Sequence, residues 1–155
     1  MLYILGPFVF EVAPFNVNAI TKSSATDYAW KPIFGGPEPA EYVGEGSETI
    51  QMQGRLFPEA LGGLHEMKQL QGMRSNGLPH PLMRGDGERL GWFVIEKIEE
   101  QSTHLDQSGV PRMIEFQIDL RRSWAPSPSD YAEWSLILGH GLSEGAIVRE
   151  ATWGE

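Results

Sequence analysis

The feature that most constrains this chain is a set of short segments in which apolar and polar side chains alternate. Residues 48–57 and 112–122 show the alternation most clearly. The apolar positions of these two segments are Ile50, Met52, Leu56, Ile114, Phe116, Ile118 and Leu120. Successive side chains of a strand point to opposite faces of a sheet, so this spacing predicts two half-buried β-strands. Gly54 falls on the apolar side of the first segment, which predicts a bulge or a close neighbour there.

Several other segments are also predicted to be extended. The further strands are expected at residues 2–13, 18–32, 80–84 and 90–100, with a bend or loop at 22–26. Residues 33–47 are rich in Gly and Pro, which predicts a loop. Tight turns are expected at 85–87 and 106–109. Residues 90–100 are apolar on both faces, which indicates a central strand or a strand that also contacts another subunit.

One helix is predicted in the body of the chain. Within residues 62–75, Leu64, Met67, Leu70 and Met73 recur at three-residue steps, and the Asn76-Gly77 pair supplies a stop signal. A helix of this kind covers one face of a sheet. The predicted fold class is therefore α+β and mainly β: a two-sheet sandwich or open barrel with one packed helix, followed by a C-terminal extension.

Length, charge and cysteine content limit the possible functions. A chain of 155 residues suits one domain of ordinary size. The net charge of −9 and the lack of a basic stripe argue against specific nucleic-acid binding, although DNA could pass an acidic wall without sticking. The apolar N-terminal segment is far shorter than the run of about 20 residues that a membrane helix needs. There is no cysteine to form a disulfide or a thiolate metal site.

No catalytic, metal-binding or cofactor-binding residues are predicted. The histidines are scattered singly, at His65, His80, His104 and His140. Residues 85–91 contain glycines but lack the spacing of a dinucleotide fingerprint and the Lys-Ser/Thr of a phosphate loop. Glu96, Glu99 and Glu100 follow a strand into a polar turn and are interpreted as a solvated face. An enzyme, a cofactor and a small-molecule substrate are therefore not expected.

Four glutamates, Glu38, Glu41, Glu45 and Glu48, occur without a basic residue among them. The simpler interpretation is a solvated acidic loop. The alternative is that the loop meets a basic surface of a neighbouring ring, or lines a channel, and steers assembly by charge complementarity.

Candidate interface residues come from two places. The first is the predicted strand that is apolar on both faces, and the second is the segment after Ser123, which is acidic and aromatic with little core-forming pattern. Exposed aromatic side chains often anchor interfaces, although these could also fold back on their own domain. The candidates are Trp92, Val94, Ile98, Trp124, Tyr131, Trp134 and Trp153.

The order and spacing of these segments resemble the GpU family of contractile-tailed phages, over residues 1–122. The resemblance is carried by short pieces rather than by one diagnostic motif. In order they are Leu5-Gly6-Pro7-Phe8-Val9-Phe10, the Trp30 region, Pro39 to Gly44, Thr49 to Gly54, Phe57-Pro58-Glu59 with Gly62-Gly63, Gly77-Leu78-Pro79, Pro81-Leu82-Met83, Gly85-Asp86-Gly87, Gly91 to Ile95, and Ile114 to Arg121.

The resemblance implies a structural protein of the virion tail, made in the host bacterial cytoplasm. R-type pyocins carry a similar component. It implies a domain like the tail tube protein over residues 1–122, rings of six copies, and partners in the tail tube and the baseplate hub, with DNA passing through unbound. Residues 123–155 lie outside the match and are expected to be a linker and an interaction tail. Two alternatives remain: a tail-terminator ring at the head-proximal end, and a small-ligand-binding β-barrel.

Overall fold

Seven antiparallel strands form one continuous sheet in the computed structural model, which describes residues 2–11 and 15–129. The strands are β1 (Tyr3–Leu5), β2 (Phe8–Phe10), β3 (Asn16–Trp30), β4 (Ala40–Leu56), β5 (His80–Arg84), β6 (Arg89–Leu105) and β7 (Pro111–Arg122). Two helices, α1 (Pro58–Leu61) and α2 (Leu64–Asn76), connect β4 to β5. The order across the sheet is β2-β1-β5-β6-β7-β4-β3.

The two alternating segments pair with each other at the centre of the fold. Ile50 lies opposite Leu120 and Met52 lies opposite Ile118 in the β4–β7 ladder, and all four side chains are buried. The prediction from period-two spacing is confirmed for both strands. Alternate positions of the same strands carry polar side chains, so the ladder has one apolar face and one polar face.

The apolar face is covered by α2 and by the opposite end of the curled sheet. Met67, Leu70 and Met73 of α2 are buried in the same core as the apolar face of β4 and β7. Phe15 joins the core to the short strands, since its ring lies 5.5 Å from that of Phe8 and 5.0 Å from that of Phe116 in edge-on contacts. Edge-on aromatic pairs of this kind stabilise a core beyond the area that they bury.

The helix prediction is confirmed to within two residues. α2 ends where expected, because Gly77 takes a left-handed conformation with φ of 68° and its N–H group bonds to the carbonyl of Arg74. The turns after β5 and between β6 and β7 are also confirmed. The short helix α1 was not predicted.

Three boundary predictions were wrong. The expected first strand, 2–13, contains the two short strands β1 and β2, because Gly6 makes a turn with φ of 56°. The expected bend at 22–26 lies inside the continuous strand β3. The expected loop at 33–47 is half strand, since β4 begins at Ala40 and its glycines fall at or beside register shifts rather than in a loop.

The mainly β, α+β fold class is confirmed. The described strands belong to one sheet rather than to two, and this sheet does not close on itself. β7 ends at Arg122, next to the expected domain boundary at 122/123. The extension remains a prediction as an interaction tail, because residues 130–155 lie outside the described part of the chain.

Gly54 gives a test of the packing. A Cβ atom at this position would overlap the carbonyl oxygen of Asn16 and lie 2.6 Å from Cζ of Phe116, so the predicted close neighbour is confirmed. We expect Gly54→Ala to lower the free energy of unfolding by about 1–3 kcal/mol. The control Gly72→Ala in α2 has open space around the new methyl group, and is expected to raise that free energy by roughly 0.5–1 kcal/mol. Urea denaturation of both variants measures the difference, and equal effects would contradict the packing described here.

Candidate assembly surfaces

The uncovered face of the sheet is polar across its four long strands. Residues that lie opposite one another in the ladders share a face, and they form rows that run from β3 to β6. From one end of the sheet to the other the rows are Ser23–Thr49–Arg121–Val94, Thr21–Gln51–Asp119–Lys97, Ala19–Gln53–Gln117–Glu99 and Asn16–Arg55–Glu115–Gln101. Val94 and Ala19 are the apolar members of these rows.

Side chains on this polar face are hydrogen-bonded to one another. Gln53 donates to Gln117 over 3.1 Å, and Gln51 and Gln117 both donate to Asp119 over 3.0 and 3.2 Å. In the last row, Nε of Arg55 lies 3.0 Å from Oε1 of Glu115. Since acids and bases alternate and the amides are paired, the face offers neither an apolar patch nor an uncompensated basic stripe.

The four long strands have two free edges within the described residues. β3 pairs with β4 alone, and it forms one end of the sheet. β6 pairs with β5 only over Arg89–Phe93, so residues 94–105 pair with β7 and expose their other edge. Free edges present unpaired N–H and C=O groups, which favour pairing with another chain.

The predicted interface residues of β6 occupy three different environments. Trp92 is buried within its own chain, and its carbonyl oxygen accepts a hydrogen bond from the N–H group of Ser123 over 2.8 Å. Val94 is half-buried at the end of the polar face, and Ile98 packs against the core. All three lie on or beside the free edge of β6. Their contact with another subunit remains a prediction.

The aromatic candidates of the C-terminal segment are only partly described. The side chain of Trp124 is 91% exposed just after the end of β7. Tyr131, Trp134 and Trp153 lie outside the described residues. Their roles in an interface therefore remain predictions.

The four predicted acidic residues differ in their surroundings. Glu38 and Glu45 are exposed, and Glu41 forms an ion pair with Lys31. Glu48 differs from the others because its side chain is only 13% exposed. The structure therefore does not bring the four together as one solvated group, although all of them lie on β4 or on the loop before it.

Glu48 is held by two cations, and we call Lys22, Glu48 and Arg122 the Glu48 cluster. Its carboxylate lies 2.8 Å from Nζ of Lys22 and accepts a 3.0 Å hydrogen bond from Nη1 of Arg122. Burial raises the pKa of Glu48, but the bonds from these two cations outweigh it, and the net pKa is lowered. Sequence analysis missed both partners, because the three residues come from three strands and become neighbours only through the pairing order.

The histidines form no metal site in the described part of the chain, where no group of three or more potential ligands is arranged to hold an ion. His80 is fully buried in β5, and burial lowers its pKa to about 4. Among the described residues, no helix is long and apolar enough to cross a membrane.

Comparison with known proteins identifies the family. The family model of Phage P2 GpU matches residues 6–124. The chain therefore belongs to the Phage P2 GpU family, and it is a structural protein of a phage tail. This family was named from the sequence, and that prediction is confirmed.

One similar relative and two similar solved structures add detail. A probable tape measure protein of Halomonas phage phiHAP-1 is 27% identical over 117 residues, which are 73% of this chain but 13% of that protein. A chain in the virion of a native gene transfer agent particle has a TM-score of 0.49 and 12% identity, and the match covers 80% of this chain and 91% of that chain. A chain in the tail of an empty gene transfer agent particle has a TM-score of 0.43 and 12% identity, with 74% and 81% covered.

The Glu48 cluster can be tested by removing one charge. We expect Glu48→Gln to lower the free energy of unfolding by about 1–2 kcal/mol, because two charge-assisted bonds to a largely buried carboxylate are weakened. The control Arg55→Gln removes an exposed ion pair and is expected to cost less than about 0.5 kcal/mol. Urea denaturation at pH 7 measures both, and a Glu48→Gln cost as small as that of the control would exclude a stabilising cluster.

The buried His80 predicts a dependence of stability on pH. Its pKa is lower in the folded chain than the value of 6.5 in the unfolded chain, so the unfolded state takes up a proton first as the pH falls. Stability is therefore fully present above pH 6.5 and is lost as the pH falls towards 4, by up to about 3 kcal/mol.

Two variants separate the contribution of His80 to the pH dependence of stability from the contribution of the carboxylates. His80→Met is expected to lose the part of the pH dependence that lies between pH 6.5 and 4. The exposed control His65→Gln is expected to keep the wild-type dependence. Denaturation curves across this range make the comparison, and an unchanged slope in His80→Met would contradict it.

Proposed function

We propose that the protein forms a closed ring, of six copies as its family resemblance implies, that joins the tail tube to the baseplate hub and continues the central channel. The observation that carries the proposal is the pair of free edges at the same height on either side of the four long strands. Each row of the polar face begins on β3, within residues 16–23, and ends on β6, within residues 94–101.

The direction of the strands supports pairing between copies. The strands β3, β4, β7 and β6 are each antiparallel to the next, so the first and the last run in opposite directions. A rotation about the ring axis preserves strand direction, and it would bring β3 of one copy antiparallel to β6 of its neighbour. Because the two edges begin and end in the same rows, the copies would meet without an axial step, which favours a ring over a helix.

The polar face supports an orientation towards the channel. The apolar face already packs against α2 and Phe15, so it is not available to line an open channel. The polar face is uncovered in the described part of the chain, and its internally paired amides and ions offer little to DNA phosphates. A lining of this kind would let DNA pass without specific binding.

No catalytic or ligand-binding role is proposed. A small-ligand site needs an enclosed, largely apolar pocket with a few aimed polar groups. The concave part of the polar face has a volume of about 670 Å³, but it lies on the open sheet and is lined mainly by polar side chains such as Gln53, Glu99 and Glu115.

The ring is tested by native mass spectrometry of the full chain over a range of concentrations. We expect a discrete multiple of the chain mass, and a hexamer would match the family resemblance. Gold labelling of the chain in assembled tails then separates the hub end from the head-proximal end, where a tail-terminator ring would lie. A monomer that carries a bound small molecule would overturn the proposal.

The seam between copies is tested with a pair of proline variants. Gln101 and Ser102 are exposed neighbours on the free stretch of β6, and alternate residues of an edge strand direct their N–H groups to opposite sides. We expect one of Gln101→Pro and Ser102→Pro to remove a bond to β7 and lower the melting temperature. The other is expected to keep the melting temperature while losing the ring mass, because proline removes an outward donor. A ring that survives in the variant with normal stability would exclude this seam.

A further inference from the structure

The hairpin of β3 and β4 extends well beyond the end of β7. β4 pairs with β7 only over Thr49–Leu56, so among the described residues its stretch 40–48 pairs with β3 alone. At about 3.3 Å per residue, this stretch projects on the order of 30 Å past the end of the β4–β7 ladder. We call residues 24–47 the arm.

The arm carries half of the large hydrophobic side chains that are exposed in the described part of the chain, six of twelve. They are Tyr28, Trp30, Ile33, Phe34, Tyr42 and Val43. The ring of Tyr28 lies 6.1 Å from that of Tyr42 and 6.4 Å from that of Trp30, so three of these side chains form one patch. Phe34 stands fully exposed in the turn. A contiguous apolar surface of this kind marks an interaction site.

The aromatic patch lies on the core side of the sheet. Tyr28 and Trp30 are separated by even numbers of residues from Ile20, which packs against the core. The two register shifts in between add their extra residue to β4 and not to β3, so the three residues share a side of β3. The patch is therefore on the opposite side from the polar face. In the proposed ring it would point away from the channel, and DNA is not its partner.

The arm as a whole is acidic. It contains Asp27, Glu38, Glu41 and Glu45 against the single cation Lys31, which is already paired with Glu41. At the base of the arm Glu45 lies 4.0 Å from Nη1 of Arg122. A complementary surface would offer an apolar pocket with a rim of Lys or Arg, because opposite charge steers association and excludes wrong partners.

The described surface at the far end of the sheet does not have this chemistry. There the turn between β6 and β7 exposes Leu105 and Val110. The nearby cation Arg112 lies 3.5 Å from Glu59, and Arg55 is paired with Glu115. Stacking of copies end to end would therefore place the acidic arm against compensated charge.

We propose that the arm docks into a different tail protein in the adjoining layer, through an apolar pocket with a basic rim. This inference rests on the proposed ring, which defines the layers. The Glu48 cluster lies where the arm leaves the sheet and ties β3, β4 and β7 together. It would fix the direction of the arm before docking and so reduce the entropy lost on binding.

Hydrogen exchange of the 155-residue chain tests which molecule covers the arm. The purified tail tube protein and the baseplate hub protein of the same virus are the two probes, each added to the full chain. We expect the backbone amides of the turn, at Ile33, Phe34, Gly35, Gly36 and Glu38, to exchange rapidly in the chain alone and to become protected by one of the two probes. Slow exchange in the chain alone would mean that a second copy or residues 130–155 already cover the arm, and this result would overturn the proposal. Rapid exchange with both probes would also overturn it.

Variants then distinguish a loss of partner binding by the arm from a loss of ring formation. We expect the double variant Trp30→Ser, Phe34→Ser to bind the protecting probe at least about thirty-fold more weakly, since buried aromatic anchors dominate interfaces. The control Leu105→Ser, Val110→Ser removes exposed apolar groups at the other end and is expected to bind normally. Glu38→Gln, Glu45→Gln is expected to reduce the salt dependence of binding. Native mass spectrometry of the same samples reports the ring separately, so an intact ring with unchanged binding would overturn only the role of the arm.

Discussion

The pairing of β4 with β7 is the constraint on which the rest of the structure depends. It sets Met52 against Ile118 on one face and Gln53 against Gln117 on the other. A slip of one residue would exchange the two faces of the sheet. With this register, α2 has an apolar surface to cover, and the opposite surface is left polar and accessible. The division between core and assembly surface therefore follows from one ladder.

The same ladder depends on close packing at its end. Gly54 lies directly opposite Phe116, and its missing side chain leaves room for that ring and for the backbone of Asn16. Phe116 can then meet Phe15, which in turn contacts Phe8 on the short edge strand β2. This chain of aromatic contacts curls one end of the sheet over its own apolar face. The curl leaves β3 and most of β6 free, since the short strands reach only the first residues of β6.

Local patterns allowed most of the central fold to be predicted from the sequence, whereas the assembly surfaces depend on pairing that no local pattern encodes. Ile50, Met52 and helix α2 were predicted because burial on one side leaves a period in the sequence. Residues 33–47 of the arm were predicted to be a loop because they are rich in Gly and Pro, although residues 40–47 form part of β4 and their glycines lie at or next to bulges. The Glu48 cluster and the free edges were not predictable without the strand order. The family resemblance added the tail assignment, which the residues alone did not carry.

In the proposed ring, β3 would take part in two kinds of contact, one with a neighbouring copy in the ring and one along the tail axis. Residues 16–23 of β3 share rows with β4, β7 and β6, and they provide an edge at the height of the free edge of β6. Residues 24–30 continue beyond those rows into the arm. Within the described residues β6 has no free edge at that height, because its residues 89–93 are paired with β5. A neighbour in the same ring can therefore extend only the first part of the strand, and the second part is left for a contact along the tail axis. Because Lys22 and Glu48 lie at the boundary between the two parts, the ion cluster there would keep the lateral and axial surfaces in a fixed relation.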